Sequence, residues 1–201
     1  MTSRQFATVA FSFVLLSACG VDTTGISAAS SKQPEGSPTA NVTVTEYGDF
    51  QCPACKGAYD LINKPLMDKY GQKIRFVFKQ FPLQGIHQYA LEAAMASECA
   101  ADQGKFWEFV DMNYAHQSDL SSKTLRVWAQ DLGLDTQLFE RCLSSGIKKK
   151  AVLADFAEGE KLGVDSTPSY FVNGQRIRIN QVEDLDAAVD AALAQTAAAP
   201  L

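Results

Sequence analysis

The chain has 201 residues and a formal charge of −5, from 18 basic and 23 acidic side chains. This balance gives no electrostatic footprint for nucleic acid, and the sequence holds no internal repeat, no Walker-type glycine loop and no HExxH pair. Its one dense basic run, Lys148-Lys149-Lys150, falls within a helical pattern and reads as a solvated face.

Met1 to Leu16 reads as an export signal. Arg4 supplies a positive start, and Phe6 to Leu16 is a mostly apolar run too short to make a good membrane span. Leu16-Ser17-Ala18-Cys19 follows and resembles the lipobox of bacterial lipoproteins, in which the cysteine becomes a lipidated N-terminus. An ordinary signal peptide cleaved near a cysteine is the other reading. There are five cysteines, an awkward number for an exported chain. If Cys19 carries lipid, Cys52, Cys55, Cys99 and Cys142 can pair twice, in an oxidising compartment. Residues 20–41 are rich in Ser, Thr, Ala, Gly and Pro without apolar periodicity, and read as a flexible linker. The folded unit is expected over residues 42–195.

Asn41 to Tyr47 alternates as a strand, and Lys56 to Tyr70 carries the apolar stripe of a helix. Pro65 is expected to kink that helix, because it removes an internal hydrogen bond. Between strand and helix lies Cys52-Pro53-Ala54-Cys55. Two residues on a first helical turn bring both sulfurs within reach of one disulfide, and the unpaired N–H groups at a helix start favour a thiolate on Cys52. A redox pair is the first reading. Half of a zinc site would need further ligands, but there is no second CxxC and His87 and His116 stand alone. An inert disulfide is the third reading. Glu46 shares a strand face with Val42 and Val44, which points it inward beneath the cysteines. A buried carboxyl there has a raised pKa and can exchange a proton with the inner thiol, whereas a surface-facing Glu46 would do neither.

Lys73 to Lys79 is a second strand, so a βαβ unit with parallel pairing is expected. Five helical segments follow between about residues 85 and 163, too many for one crossover, and form an inserted helical lobe. Ser122 is a candidate cap for the third. Cys99 and Cys142 each occupy an apolar-stripe position near a helix end and are expected to pair; two buried free thiols is the alternative. Tyr170 to Val172 reads as a strand, Asn173-Gly174 as a hairpin turn, Gln175 to Ile179 as the return strand and Asp184 to Ala194 as the closing helix.

Glu46 six residues before Cys52, Asp49-Phe50 before Cys52-Pro53-Ala54-Cys55, Gly104-Lys105-Phe106-Trp107 in the helical lobe, and Thr167-Pro168 before a hairpin together resemble the thioredoxin superfamily, and within it the DsbA-like extracytoplasmic thiol–disulfide oxidoreductases. The resemblance implies an α/β thioredoxin-like fold with a central mixed sheet and an inserted helical lobe. It implies a cis bond at Pro168 facing the cysteine pair, and a Thr167 backbone that pairs with an extended client. It implies disulfide exchange at Cys52 and Cys55 with Glu46 handling a proton, and no bound cofactor. The partners would be exported proteins bearing thiols or disulfides, and a membrane redox partner. The protein would be a monomer held to a membrane of the cell envelope through its N-terminal lipid. Ala54 departs from the histidine of the most oxidising relatives, and Thr167 is common in isomerase-type ones. A lipid-anchored reductase or isomerase, and a non-catalytic client-binding scaffold, remain open. No stretch reads as the separate dimerisation domain of classical periplasmic isomerases.

Overall fold

The computed structural model describes residues 21–198. The export signal and Cys19 lie outside the described residues.

Five strands, β1 (Glu35–Gly36), β2 (Val42–Gly48), β3 (Ile74–Gln80), β4 (Ser169–Val172) and β5 (Gln175–Ile177), form one mixed sheet in the order β1-β3-β2-β4-β5. The central pair, β2 (Val42–Gly48) and β3 (Ile74–Gln80), is parallel, with Val44 opposite Phe76 and Glu46 opposite Phe78. On the other side of β2, β4 (Ser169–Val172) runs antiparallel and is followed by the short β5 (Gln175–Ile177). Asn173 and Gly174 make the turn between them with positive φ values of 48° and 82°, as a two-residue hairpin of this kind requires. The return strand is therefore shorter than the sequence pattern suggests.

The sheet separates two apolar layers. Val42, Val44, Ile74 and Phe76 pack against Ile62 and Leu66 on one face, where Leu185 and Val189 of α8 (Glu183–Ala198) join them. On the opposite face Tyr47 and Phe171 meet Phe81 and Phe156 of α7 (Lys149–Lys161). The lobe consists of α3 (Ala90–Ala101), α4 (Phe106–Ala115), α5 (Ser122–Asp131) and α6 (Thr136–Ser145), packed around Phe109, Leu125, Trp128 and Phe139. Phe50, Cys52 and Cys55 belong to this lobe's core, so the lobe is what closes over the cysteine pair. Ser121, not Ser122, caps α5 by accepting from the Thr124 N–H, and Asp135 caps α6.

Cys99 and Cys142 are joined in a disulfide that staples α3 to α6 across 43 positions. Closing a loop of that length removes unfolded-state entropy worth about 4 kcal/mol in the chain-entropy model. The Cys99→Ala/Cys142→Ala double variant is expected to lose stability on that scale, read as a lower urea midpoint at unchanged slope.

The helix after the cysteines differs from its sequence pattern. It begins at Pro53 in α1 (Pro53–Ala58), widens into a π-helical turn at Tyr59–Asn63, and resumes as α2 (Lys64–Tyr70). Pro65 lacks the N–H that would reach back four residues. The extra residue of the π turn falls where that break would otherwise interrupt the α-helical ladder.

Two further readings change. Residues 20–41 are not all free of the domain: Glu35–Gly36 forms β1, antiparallel to β3, and Lys32 pairs with Glu98 and Asp155 at 2.6 Å each. Lys148 is not part of a solvated face. It is fully buried, with Nζ 2.6 Å from Asp102 Oδ1 and 2.8 Å from the Ala29 carbonyl. A buried ammonium needs such partners, and here they pin the N-terminal segment to the lobe.

Candidate active site

The cysteine pair sits where β2 hands the chain to α1. Cys52 is the N-cap residue, with extended φ and ψ of −75° and 120°, and Pro53 opens the helix where a missing N–H costs no helical bond. Both thiols are unbonded. Cys52 is 7% exposed and Cys55 not at all, so Cys52 is the sulfur that a second molecule reaches first. Facing it, the Thr167–Pro168 peptide is cis. The Cys52 thiol lies 3.4 Å from the Thr167 carbonyl, to which it donates.

The two sulfurs are electrostatically unequal. The neighbouring Cys55 thiol is the main group that holds Cys52 down, to about 5. Burial opposes it, and the Thr167 hydroxyl and the N–H groups of Cys55 and Ala54 add to the stabilisation. Among the described residues the buried Thr167 hydroxyl has no other partner, which leaves it free to donate to a Cys52 thiolate. Cys55 goes the other way. Burial raises it well above the usual thiol range, and the Cys52 and Glu46 charges push in the same direction, against a donated bond from the Asp49 N–H at 3.4 Å. The arrangement stabilises one thiolate at the outer sulfur and keeps a proton on the inner one.

Glu46 is completely buried on the Val42 and Val44 face of β2. Burial pushes its carboxyl up to about 8, the Asn63 amide pulls it back, and a Cys52 charge raises it further. Asn63 Nδ2 donates to Glu46 Oε2 at 2.7 Å, and the Tyr170 hydroxyl donates to Asn63 Oδ1 at 2.7 Å. The other carboxylate oxygen, Oε1, has no partner among the described residues. A protonated carboxyl at neutral pH therefore lies within the electrostatic reach of both cysteines.

Several site residues escaped the sequence reading. Asn63 looked like one more polar position on a helix; the π turn that aims it at Glu46 is signalled only by Pro65, which marks a break without stating its kind. His87 does not stand alone: its Nδ1 is 2.8 Å from Asp49 Oδ2, which also accepts from the Leu83 N–H, while Oδ1 accepts from Gln51 N–H. This buried Asp49 ties the loop after β3 to the residues before Cys52. Gln117, after α4, donates to the carbonyls of Phe50 and Cys52 at 2.8 Å each. Nothing in local sequence announces a contact across 65 positions. Cys99 and Cys142 lie in the lobe and take no part in the cysteine pair. Among the described residues no group of His, Cys, Asp and Glu is placed to hold a metal ion.

The chain is similar to known proteins over most of its length. It is 39% identical over 166 residues to a protein named Na(+)/H(+) antiporter NhaA 1 from Salinispora arenicola, and 35% identical over 146 residues to an Na(+)/H(+) antiporter NhaA from Herminiimonas arsenicoxydans. These matches cover 82% and 71% of this chain but 25% and 22% of those proteins; the chain spans about a quarter of their length. Among solved structures, a thioredoxin-like oxidoreductase from Silicibacter pomeroyi superposes with a TM-score of 0.71 at 26% identity, covering 81% of this chain and 92% of that one. BdbD from Bacillus subtilis, in its oxidised form, shares the fold with a TM-score of 0.73 at 23% identity, covering 82% and 94%. The family profile described as Thioredoxin matches residues 32–191, from the pinned N-terminal segment through the cysteine pair and the cis-proline to α8; the chain belongs to the thioredoxin family.

Proposed function

We propose that the protein is a DsbA-like thiol–disulfide oxidoreductase that forms disulfides in exported proteins through Cys52 and Cys55. The single observation that carries this reading is the geometry of the pair: a slightly exposed Cys52 at a helix N-terminus beside the cis Thr167–Pro168 peptide, and a fully buried Cys55 behind it, an arrangement that favours the thiolate on Cys52 and the thiol on Cys55. In the oxidising direction a client thiolate attacks Cys52 Sγ of the Cys52–Cys55 bond. A client–Cys52 bond forms as the internal one breaks, and Cys55 leaves with the electron pair and takes a proton from Glu46. A second client thiolate then attacks the client sulfur, Cys52 leaves as the stabilised thiolate, and the client has lost two electrons to the pair. A membrane redox partner takes those electrons and restores the disulfide. No cofactor enters these steps.

Transport is not carried over from the antiporter names, because the match covers about a quarter of those proteins and no described helix is long and apolar enough to cross a membrane. The N-terminal reading supports an extracytoplasmic protein anchored in the cell envelope through lipid on Cys19, with residues 42–195 as the catalytic unit and Thr167 and Pro168 as the client-facing segment.

Replacing Cys52 by serine is expected to abolish insulin reduction with dithiothreitol, a loss beyond a hundredfold, since among the described residues the other cysteines are buried (Cys55) or joined in a disulfide (Cys99 and Cys142). Replacing Cys55 by alanine leaves the mixed disulfide without its resolving thiol, so covalent client complexes should accumulate on non-reducing gels. An active Cys52→Ser protein, or no trapped complexes, would overturn the reading in favour of a scaffold. The anchor is tested in the same cells: Cys19→Ala should move the protein out of the membrane fraction, and a protein that stays there carries no lipid on Cys19.

A further inference from the structure

A cavity of about 300 Å³, lined by Asn63 but by neither cysteine, opens between the π turn, α4 and the face of β3, with Glu35 of β1 at its edge. That volume suits a small ligand or one long side chain rather than a large cofactor. Its walls are aromatic. Tyr59 and Tyr114 lie with ring centroids 4.7 Å apart, and Trp107 packs on Phe76 at 5.9 Å. Its rim is acidic. Glu35 and Asp111 both line it, and among the described residues the Glu35 carboxylate has neither a hydrogen-bond nor an ion-pair partner. Asp111 has one, the Tyr59 hydroxyl.

The Tyr114 hydroxyl is fully buried and unpartnered among the described residues. The charges that act on it are those of Cys55, Glu46, Tyr170 and Asp49, so the cavity meets the Tyr114 ring and not its hydroxyl.

We propose that this cavity binds an organic cation of the ammonium or guanidinium class, held between the Glu35 and Asp111 carboxylates and the rings of Tyr59, Trp107 and Tyr114. The chemistry excludes the alternatives one by one. An anion would meet two carboxylates. A purely apolar ligand would leave the Glu35 carboxylate without a partner. An organic cation answers both the acids and the rings: its charge neutralises the carboxylates, and its body lies against the electron-rich ring faces. Burial, and then the Asp111 charge, push the Glu35 carboxyl up, as expected where two acids face each other without their counter-ion. Lys64, which also lines the cavity, already places its Nζ 4.3 Å from the Tyr59 ring centre. It is engaged 3.4 Å from Asp60 Oδ1, so the rim acids are left to another cation. The site needs no disulfide chemistry, so its test and that of the proposed function fail separately.

The test follows tryptophan fluorescence of the protein during titration with butylammonium, butylguanidinium and tetramethylammonium, against sodium chloride at equal ionic strength. Trp107→Phe identifies which of the two tryptophans reports. A saturable change with a midpoint of about 1 mM or tighter is expected for the organic cations and none for sodium, a modest affinity in keeping with a ligand of few atoms. The midpoint should weaken at least about tenfold in Glu35→Gln/Asp111→Asn, equivalent to about 1.4 kcal/mol. If the double variant does not fold, Glu35→Gln at the half-buried rim serves alone. A blocked Gly-Lys-Gly peptide that binds as well as butylammonium points to a side chain of a partner protein; spermidine binding without peptide binding points to a free amine. No saturable response to any of the cations, or equal affinity in the rim variants, overturns the site.

Discussion

Equilibrated in glutathione buffers at pH 7, the Cys52–Cys55 pair is expected to have a reduction potential of about −220 mV, between the values of thioredoxin, about −270 mV, and DsbA, about −120 mV. The number follows from the thiolate. Cys52 is held down to about 5, against about 7 in thioredoxin. At pH 7 the reduced form therefore gains about 2 kcal/mol more from ionisation than thioredoxin does. For a two-electron couple that is roughly 50 mV in the oxidising direction. Solvent screening on the open side of Sγ trims it slightly. The sign is that of a depressed acid. The stabilisation of the reduced form is complete above the unfolded thiol value of about 8.5, and fades as pH falls through about 5. A titration of thiolate absorbance should show this directly, with Thr167→Val moving Cys52 upward because the hydroxyl donor is gone. A potential near about −270 mV would mean that Cys52 has no special stabilisation in solution, and the protein would be read as a reductase fed from the membrane. One near about −120 mV would make it a strong oxidant despite Ala54.

Much of this site could be read from the chain. The strand with Glu46, the CxxC at a helix start, the lobe with its disulfide and Thr167-Pro168 at the far end each have a local pattern, and the topology follows from their order. The parts that could not be read are those set by distance and by backbone irregularity. Asn63 reaches Glu46 because a π turn adds one residue ahead of Pro65, and a helical period counts straight past it. Glu35 and Gly36 gave no strand signal, since two residues have no periodicity; they pair because β3 offers an open edge. Lys148 lay in a run of three lysines, where composition says solvent. Only the fold brings Asp102 and the Ala29 carbonyl to it. Polar partnerships across many tens of residues decide how the site is held, and they are the class of contact that spacing cannot encode.

Glu46→Gln is expected to make the oxidised protein more stable at pH 8 by about 2–4 kcal/mol while changing it by less than about 1 kcal/mol at pH 5. Burial, the main cause, holds the native Glu46 carboxyl up in either redox state, to about 8 in the dithiol form where a Cys52 charge adds to it, whereas the unfolded carboxyl loses its proton near 4.5. Between those values the native state binds the extra proton. Stability is then greatest below about 4.5 and falls as pH rises, with an upper bound of about 5 kcal/mol for a shift of this size. Glutamine removes the ionisation and can still accept from Asn63 Nδ2, so the pH slope should flatten rather than the fold fail. The oxidised form is the right state for the measurement, since Cys52 and Cys55 do not titrate there. Tyr114 and Tyr170, the other titratable groups that feel the Glu46 charge, are driven far above neutral by burial and keep their protons throughout. The same variant should slow disulfide exchange at pH 7 by about tenfold or more, since a general acid of this kind contributes at least that much, and the loss should shrink at high pH where wild-type Glu46 has itself ionised. A substitution that merely loosened packing would lower stability at both pH values and slow exchange equally at each. That pattern would remove Glu46 from the proton-transfer role and leave it as a buried acid of no chemical consequence.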